Sequence, residues 1–122
     1  MELKELNDDE RIALVTLLEM IVASDGGVTR EELSHIKHVI HGLGEHAYRA
    51  AVAAADERFA DDDTARRFLL GIAREPAREL IFETALEAAM ADGIAVSESE
   101  ILTWVGKSWR LPLRFERGDT ES

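Results

Sequence analysis

The chain has 122 residues, a formal net charge of −11 and no cysteine. This length predicts one domain. The charge argues against nucleic acid or anionic lipid as a partner, and the lack of cysteine excludes disulfides and thiolate chemistry.

The first predicted unit is a helix–turn–helix over residues 7–43. Asn7 followed by Glu10 three residues later has the pattern of a capping box at the start of helix 1. The apolar face of this helix is predicted to contain Leu14, Leu17, Leu18, Ile21 and Val22. Helix 2 is predicted to begin at Thr29 with Glu32 as its reciprocal cap, and to end at Gly42 and Gly44. Its apolar stripe is predicted to be Leu33, Ile36, Ile40 and Leu43.

The same region indicates where the protein resides. The acidic, polar residues 1–10 do not resemble a signal peptide. The longest apolar stretch, residues 12–23, contains Thr16 and Glu19 and is too short to span a bilayer. We therefore expect a cytoplasmic protein that does not insert directly into a membrane.

Two connecting helices are predicted next, over residues 45–59 and 64–73. The first is rich in alanine, which allows neighbouring helices to approach it closely. An Asp61-Asp62-Asp63-Thr64 cluster, typical of a turn and a cap, precedes the second.

The second predicted helix–turn–helix covers residues 75–111. Pro76 suits the first turn of helix 5. Phe82, Ala85, Ala88 and Ala89 occupy the positions that Val15, Leu18, Ile21 and Val22 hold in helix 1. Helix 6 is predicted to begin at Ser97 with Glu100 as its cap, and its inner face to comprise Ile101, Trp104, Val105 and Leu111. Residues 112–122 are predicted to be a C-terminal tail.

No segment shows the sustained alternation of a strand. The sequence predicts an all-α, single-domain bundle of about six helices over residues 7–111. Its two halves, 7–43 and 75–111, form an internal pseudo-twofold repeat of helix–turn–helix pairs.

The most informative feature is a motif that occurs at the turn of each half. An apolar helical run ends at Asp-Gly, and a new helix begins at a hydroxyl residue followed three places later by Glu. Asp25 and Asp92 are the two aspartates, and Glu32 and Glu100 are the two glutamates. Helix termination and helix capping alone explain the glycines, the hydroxyl residues and the glutamates. They explain the aspartates less well, because a helix C-terminus disfavours negative charge.

A pseudo-twofold arrangement would bring these four carboxylates together. Two like charges about 4 Å apart repel by roughly 4 kcal/mol at an effective dielectric near 20, so the carboxylates must share protons or bind a cation. Oxygen ligands suit Ca²⁺ first, and Mg²⁺ or Mn²⁺ otherwise. We therefore predict a divalent metal site at Asp25, Glu32, Asp92 and Glu100, with Glu31 and Glu98 nearby in outer positions.

An EF-hand is the competing calcium motif, and the spacing from Gly26 to Glu32 fits its loop. The first and third loop positions would then be Ile21 and Ala23, which cannot ligate a metal. The second copy has one residue too many between Gly93 and Glu100. The sequence therefore excludes a standard EF-hand.

The two Asp-Gly…[Ser/Thr]-x-x-Glu segments and the helices around them resemble the TerB-like family. This family includes the tellurite resistance protein TerB and the N-terminal region of DjlA-type membrane co-chaperones. The resemblance covers about Asn7 to Leu111. It implies an all-helical fold with an internal repeat and an acidic cluster proposed to hold divalent metal, at Asp25, Glu32, Asp92 and Glu100. It also implies a part in resistance to tellurite and other chemical stress, beside membrane partners of the TerC type. The extra residue after Gly93 and the tail after Leu111 depart from the family pattern.

Other residue patterns predict ordinary structural roles. His35, His38 and His41 recur every third residue and could recruit zinc, but they project away from the predicted stripe and are assigned to a solvated face. Trp104 is predicted to lie in the core, and Trp109 to be partly exposed.

Three functions remain open. The first is a non-enzymatic, divalent-cation-binding domain that docks to a partner protein. The second is a metal-free acidic module that binds a basic protein surface. The third, an acid–base hydrolase, is the weakest, because no nucleophile with a base and an orienting group is recognisable. We therefore expect no catalytic residues, and the oligomeric state stays open.

Overall fold

A computed structural model describes residues 2–24, 30–90 and 96–111. The described residues form a short 3₁₀ helix, Leu3–Glu5, and six α-helices with no strand among them. The helices are α1 (Asp8–Ser24), α2 (Arg30–Leu43), α3 (Glu45–Arg58), α4 (Asp62–Leu70), α5 (Glu75–Met90) and α6 (Val96–Ser108). The all-α, single-domain prediction is confirmed, and the internal pseudo-twofold repeat stays a prediction.

The central element is α1, which contacts α3, α4, α5 and α6. All seven residues from Ile12 to Leu18 are buried. Four members of the predicted face are in the core, namely Leu14, Leu17, Leu18 and Ile21, whereas Val22 is half-buried. The prediction of one apolar face was too narrow, because a helix surrounded by neighbours is buried around its whole circumference.

The start of α1 is fixed by the predicted capping box. The Asn7 N–H donates to Glu10 Oε1 over 2.9 Å, and the Glu10 N–H donates to Asn7 Oδ1 over 2.8 Å. Arg74, on the segment between α4 and α5, adds a donor from its Nε to Glu10 Oε2 at 2.7 Å. Glu10 therefore caps one helix and holds a distant segment against it, although only 2% of its surface is exposed.

The connecting helices differ slightly from their predicted bounds. Asp61 rather than Thr64 caps α4, because its Oδ1 accepts from the Thr64 N–H at 2.8 Å, so the helix begins at Asp62. It ends at Leu70 rather than at residue 73, with Gly71 as the C-cap. Of the alanines of α3, Ala51 and Ala55 are buried against α1, in a cluster with Ile12 and Val15.

The stripe through which α2 meets the core agrees only in part with the predicted one. Val39 is fully buried and Leu43 nearly so, whereas Leu33 is 46% exposed. Gly42 does not end the helix but lies inside it, where a Cβ would be 2.7 Å from Leu3 Cδ1. Gly44, at φ +95°, begins α3 in a conformation that L side chains rarely adopt.

The burial of the two tryptophans differs from the prediction. Trp109 is 3% exposed and its Nε1 donates to the Leu69 carbonyl at 3.0 Å. Trp104 is half-buried, and its ring lies 4.7 Å from the guanidinium carbon of Arg66. The prediction that Trp109 is partly exposed is wrong, because the end of α6 packs beside the end of α4 and presents a backbone acceptor to the indole.

A helix that crosses a bilayer needs about 20 predominantly apolar residues. None of the helices in residues 2–24, 30–90 and 96–111 is both long enough and apolar enough to cross a bilayer.

Candidate functional site

The two predicted turns are bounded by the ends of four helices. The first follows the end of α1 at Ser24 and precedes α2 at Arg30, and the second follows Met90 and precedes α6 at Val96. Asp25 and Asp92, the two predicted aspartate ligands, lie outside the described residues.

The two predicted glutamate ligands belong to the helices that follow the turns. Glu32 lies in the first turn of α2, and its side chain falls outside the described part of the chain. Glu100 lies in the first half of α6 and is exposed. The structure thus locates the two helices, and the four-carboxylate cluster itself stays a prediction.

The helix ends beside the two turns lie near each other. Met20, four residues before the end of α1, and Ile101, in the first half of α6, line the same surface depression. His35 Nε2 of α2 lies 3.2 Å from the Thr84 carbonyl of α5. The helices that precede the two turns are α1 and α5. Each turn connects one of these helices to a helix that packs on the other, because α1 contacts α6 and α2 contacts α5.

The described residues alone do not form a metal site. No group of three or more His, Asp and Glu side chains that could hold an ion is present in residues 2–24, 30–90 and 96–111. The three predicted surface histidines do not converge either. His38 and His41 are exposed, as predicted, but His35 is half-buried against α5. Its assignment to a solvated face is wrong, because the inner face of α2 is centred on Val39 and includes the position one turn earlier.

Beside the depression that contains Met20 lies an acidic pair that the sequence did not reveal. Partial desolvation, and to a smaller extent the negative charge of Asp56, raise the pKa of Glu19 above its ordinary value. Desolvation and the Glu19 charge likewise raise the pKa of Tyr48. Glu19 is in α1 and Asp56 in α3, so a separation of 37 residues hid their proximity.

The hydroxyl of Thr16 adds an unusual polar group to this depression. Thr16 is 4% exposed, and its Oγ1 has no hydrogen-bond partner among the described residues. A buried hydroxyl without a partner is destabilising by about 1–3 kcal/mol. Two carboxylates and one hydroxyl are too few ligands for a divalent ion on their own.

The buried carboxylate of Glu10 is a third acidic position, and its environment is opposite to that of Glu19. The hydrogen bond from Arg74 lowers the pKa of Glu10, and the Asn7 N–H adds to this effect, whereas desolvation opposes it. The same hydrogen bond raises the pKa of Arg74. Glu10 therefore stays ionised and paired at neutral pH, which assigns it a structural role.

Comparison with known proteins gives one match. The model of a family described as "Tellurite resistance protein TerB" matches residues 11–109. Searches of curated proteins and of solved structures gave no match. The matched region begins in the first turn of α1 and ends just after α6, so it includes both predicted turns.

Proposed function

We propose, from the premise that this chain belongs to the tellurite resistance protein TerB family, that it is a non-enzymatic helical module that binds a divalent cation at its two turns. The ligands are the carboxylates of Asp25, Glu32, Asp92 and Glu100. The ion links the two halves of the domain in the cytoplasm and favours docking to a partner protein, of which membrane proteins of the TerC type are one candidate. The setting is the response to tellurite or related chemical stress.

The observation that carries this proposal is the proximity of the helix ends beside the turns. Met20 of α1 and Ile101 of α6 line one depression. α1 ends four residues beyond Met20, and α6 begins five residues before Ile101. This proximity supports an ion shared between the segment after α1 and the segment before α6.

The buried faces of α2 and α6 bear on which glutamate completes the site. Val39 and Leu43 of α2 are buried at the same spacing as Val105 and Trp109 of α6. In this register, the position equivalent to Glu32 is residue 98, two residues before the exposed Glu100. Glu98 is therefore the alternative fourth ligand, because the buried positions relate the two segments by 66 residues whereas Glu32 and Glu100 are 68 residues apart.

The chemistry of the ligands favours Ca²⁺, with Mg²⁺ and Mn²⁺ next. Carboxylates provide hard oxygen ligands, and backbone carbonyls of a turn with bound water complete a shell of six to eight for Ca²⁺. Zn²⁺ is disfavoured because neither cysteine nor a histidine belongs to the proposed set.

The test is a metal titration of the metal-free protein by calorimetry and thermal melting. A tenfold excess of free ion over its dissociation constant should raise the free energy of unfolding by about 1.4 kcal/mol. The double variant Asp25→Asn/Asp92→Asn should lose this increase. Glu98→Gln and Glu100→Gln, compared singly, identify the fourth ligand by the larger loss of affinity.

A matched control separates metal ligation from the general effect of removing two negative charges. The double variant Glu57→Gln/Asp63→Asn removes the same formal charge from exposed positions on α3 and α4. It should bind the ion like the original protein. If no divalent ion raises the melting temperature, or if the turn variant responds as the control does, the metal proposal is wrong.

A second candidate is a metal-free interaction module, favoured by the surface of α5. Glu79, Glu83 and Glu87 are exposed on one edge of this helix, four residues apart. Such a row attracts a basic partner without any ion. A partner whose capture weakens with salt but is unchanged by a chelator would support this candidate over the first.

A further inference from the structure

A groove along α5 is bordered by two parallel rows of side chains. The apolar row is Phe82, Leu86 and Met90, and the acidic row is Glu79, Glu83 and Glu87. Each row advances by one helical turn per residue and spans about 12 Å. The groove has a volume of about 270 Å³, and none of the described residues that line it is basic.

The apolar row changes from buried to exposed along the helix. Phe82 is 3% exposed and forms the floor, Leu86 is half-buried, and Met90 is 55% exposed. Leu111, the last residue after α6 that the structure describes, closes one side. Methionine suits a docking surface because its flexible, polarisable side chain adapts to different partners.

Two of the charges beside the apolar row, those of Glu79 and Glu87, are not paired within the part of the chain that the structure describes. Both are exposed, so they remain in water until a partner covers them. A ligand for this groove therefore needs apolar side chains with positive charge alongside.

We propose that the α5 groove binds an amphipathic helix of a partner protein, with one apolar residue per turn and Lys or Arg beside them. The apolar side chains pack on Phe82, Leu86 and Met90, and the basic side chains pair with Glu79 and Glu87. This is the helix-in-groove mode of recognition, in which the apolar face supplies affinity and the charges supply orientation. The inference goes beyond the metal proposal, because no groove residue belongs to the two turns.

Two other occupants fit less well. A second copy of this chain has the same charge of −11 and would be repelled. The chain's own residues 113–117 contain two arginines and follow closely after Leu111. They provide only two apolar side chains, Leu113 and Phe115, against a row of three.

The experiment uses a synthetic alanine-based helical peptide of about 16 residues, long enough to be helical in water. It has leucine at one position per turn, lysines beside the leucines and a fluorescent label. Anisotropy is measured against the full chain in the presence of a chelator, so that failure of metal binding leaves the result unaffected. Binding that weakens with added NaCl is expected. A peptide with glutamate in place of lysine should not bind.

Variants then locate the binding site. Glu79→Gln/Glu87→Gln should weaken binding by about twofold to fivefold per glutamate, and Met90→Asp by more than about tenfold. The charge-matched variant Glu57→Gln/Asp63→Asn should leave binding unchanged. Because all three substituted groove residues are exposed, the variants should fold, and circular dichroism checks this.

Several results would overturn the proposal. Absence of binding by the lysine peptide would do so, as would equal weakening in the groove variant and its charge-matched control. If the peptide binds only after residues 112–122 are removed, the tail is the occupant. If sedimentation shows a dimer that Met90→Asp dissociates, the occupant is a second copy.

Discussion

Glu10 illustrates how one side chain fixes both an element and its neighbours. Its Oε1 accepts from the Asn7 N–H at the start of α1, and its Oε2 accepts from Arg74, 64 residues later in the chain. The cap could be predicted, because its two residues are three positions apart. The pairing with Arg74 could not, because no local pattern relates residues so distant in sequence.

The first prediction concerns the charge of Glu10. Glu10→Gln keeps an acceptor for the cap, so it should lower the free energy of unfolding at pH 7 by about 1 kcal/mol, and Glu10→Ala by about 2 kcal/mol. The pKa of Glu10 is lowered in the folded state, so its charge stabilises the protein above about pH 4.5. This contribution is lost as the pH falls through the folded-state pKa.

Urea unfolding of the original protein and Glu10→Gln checks this prediction from pH 7 down to about pH 3. The difference between the two should shrink below about pH 4.5. Glu57→Gln, at an exposed position on α3, serves as the control and should show little difference at either pH. If the free energies of unfolding of the original protein and Glu10→Gln differ equally at pH 7 and at about pH 3, the effect does not come from the charge of Glu10.

At the scale of the helices, hydrophobic spacing predicted which elements exist better than which faces they bury. The bounds of α3 and the start of α5 agree with prediction within one residue, because Gly44 and the first-turn Pro76 mark them locally. The inner face of α2 was rotated, since Val39 is buried and His35 meets α5, whereas Leu33 is exposed. A helix with apolar residues on several sides does not specify its orientation alone, and the shape of the opposing helix decides.

The second prediction compares the two tryptophans of α6. Trp109→Phe leaves the Leu69 carbonyl without its indole donor and opens a small cavity, so the free energy of unfolding should fall by about 2–3 kcal/mol. Trp104→Phe retains a ring that Arg66 can cover, so its cost should stay below about 1 kcal/mol.

Denaturant unfolding of both variants measures these costs, and fluorescence separates the two residues. The Trp104→Phe protein reports Trp109 alone, whose emission should be blue-shifted and poorly quenched by iodide. The Trp109→Phe protein should show the opposite properties. Equal quenching and equal costs would contradict the assignment of Trp109 to the core and Trp104 to the surface.

At the scale of the whole molecule, the helices of the two predicted halves pack crosswise. The first helix of each half lies in the centre, and the second helix of each half contacts the central helix of the other half. The candidate site therefore depends on long-range packing. The sequence predicted the acids and their turns, but the distances between them follow from how α1 and α5 meet, which spacing does not encode.

The third prediction concerns the net charge of −11, which opposes folding through self-repulsion. The ion pairs among the described residues are mostly on exposed side chains, such as Arg67 with Asp63, and each contributes only a few tenths of a kcal/mol. Repulsion should outweigh them, so screening should stabilise the protein. Raising NaCl from about 0.02 M to about 0.5 M shortens the Debye length from about 20 Å to about 4 Å, and the melting temperature should rise by about 4 °C, as about 1 kcal/mol requires.

Choline chloride should give the same rise, because screening does not depend on the cation. A divalent ion bound at the two turns should add a further increase at constant ionic strength, which Asp25→Asn/Asp92→Asn abolishes while the response to NaCl remains. A melting temperature that falls with NaCl would show that the ion pairs outweigh the repulsion.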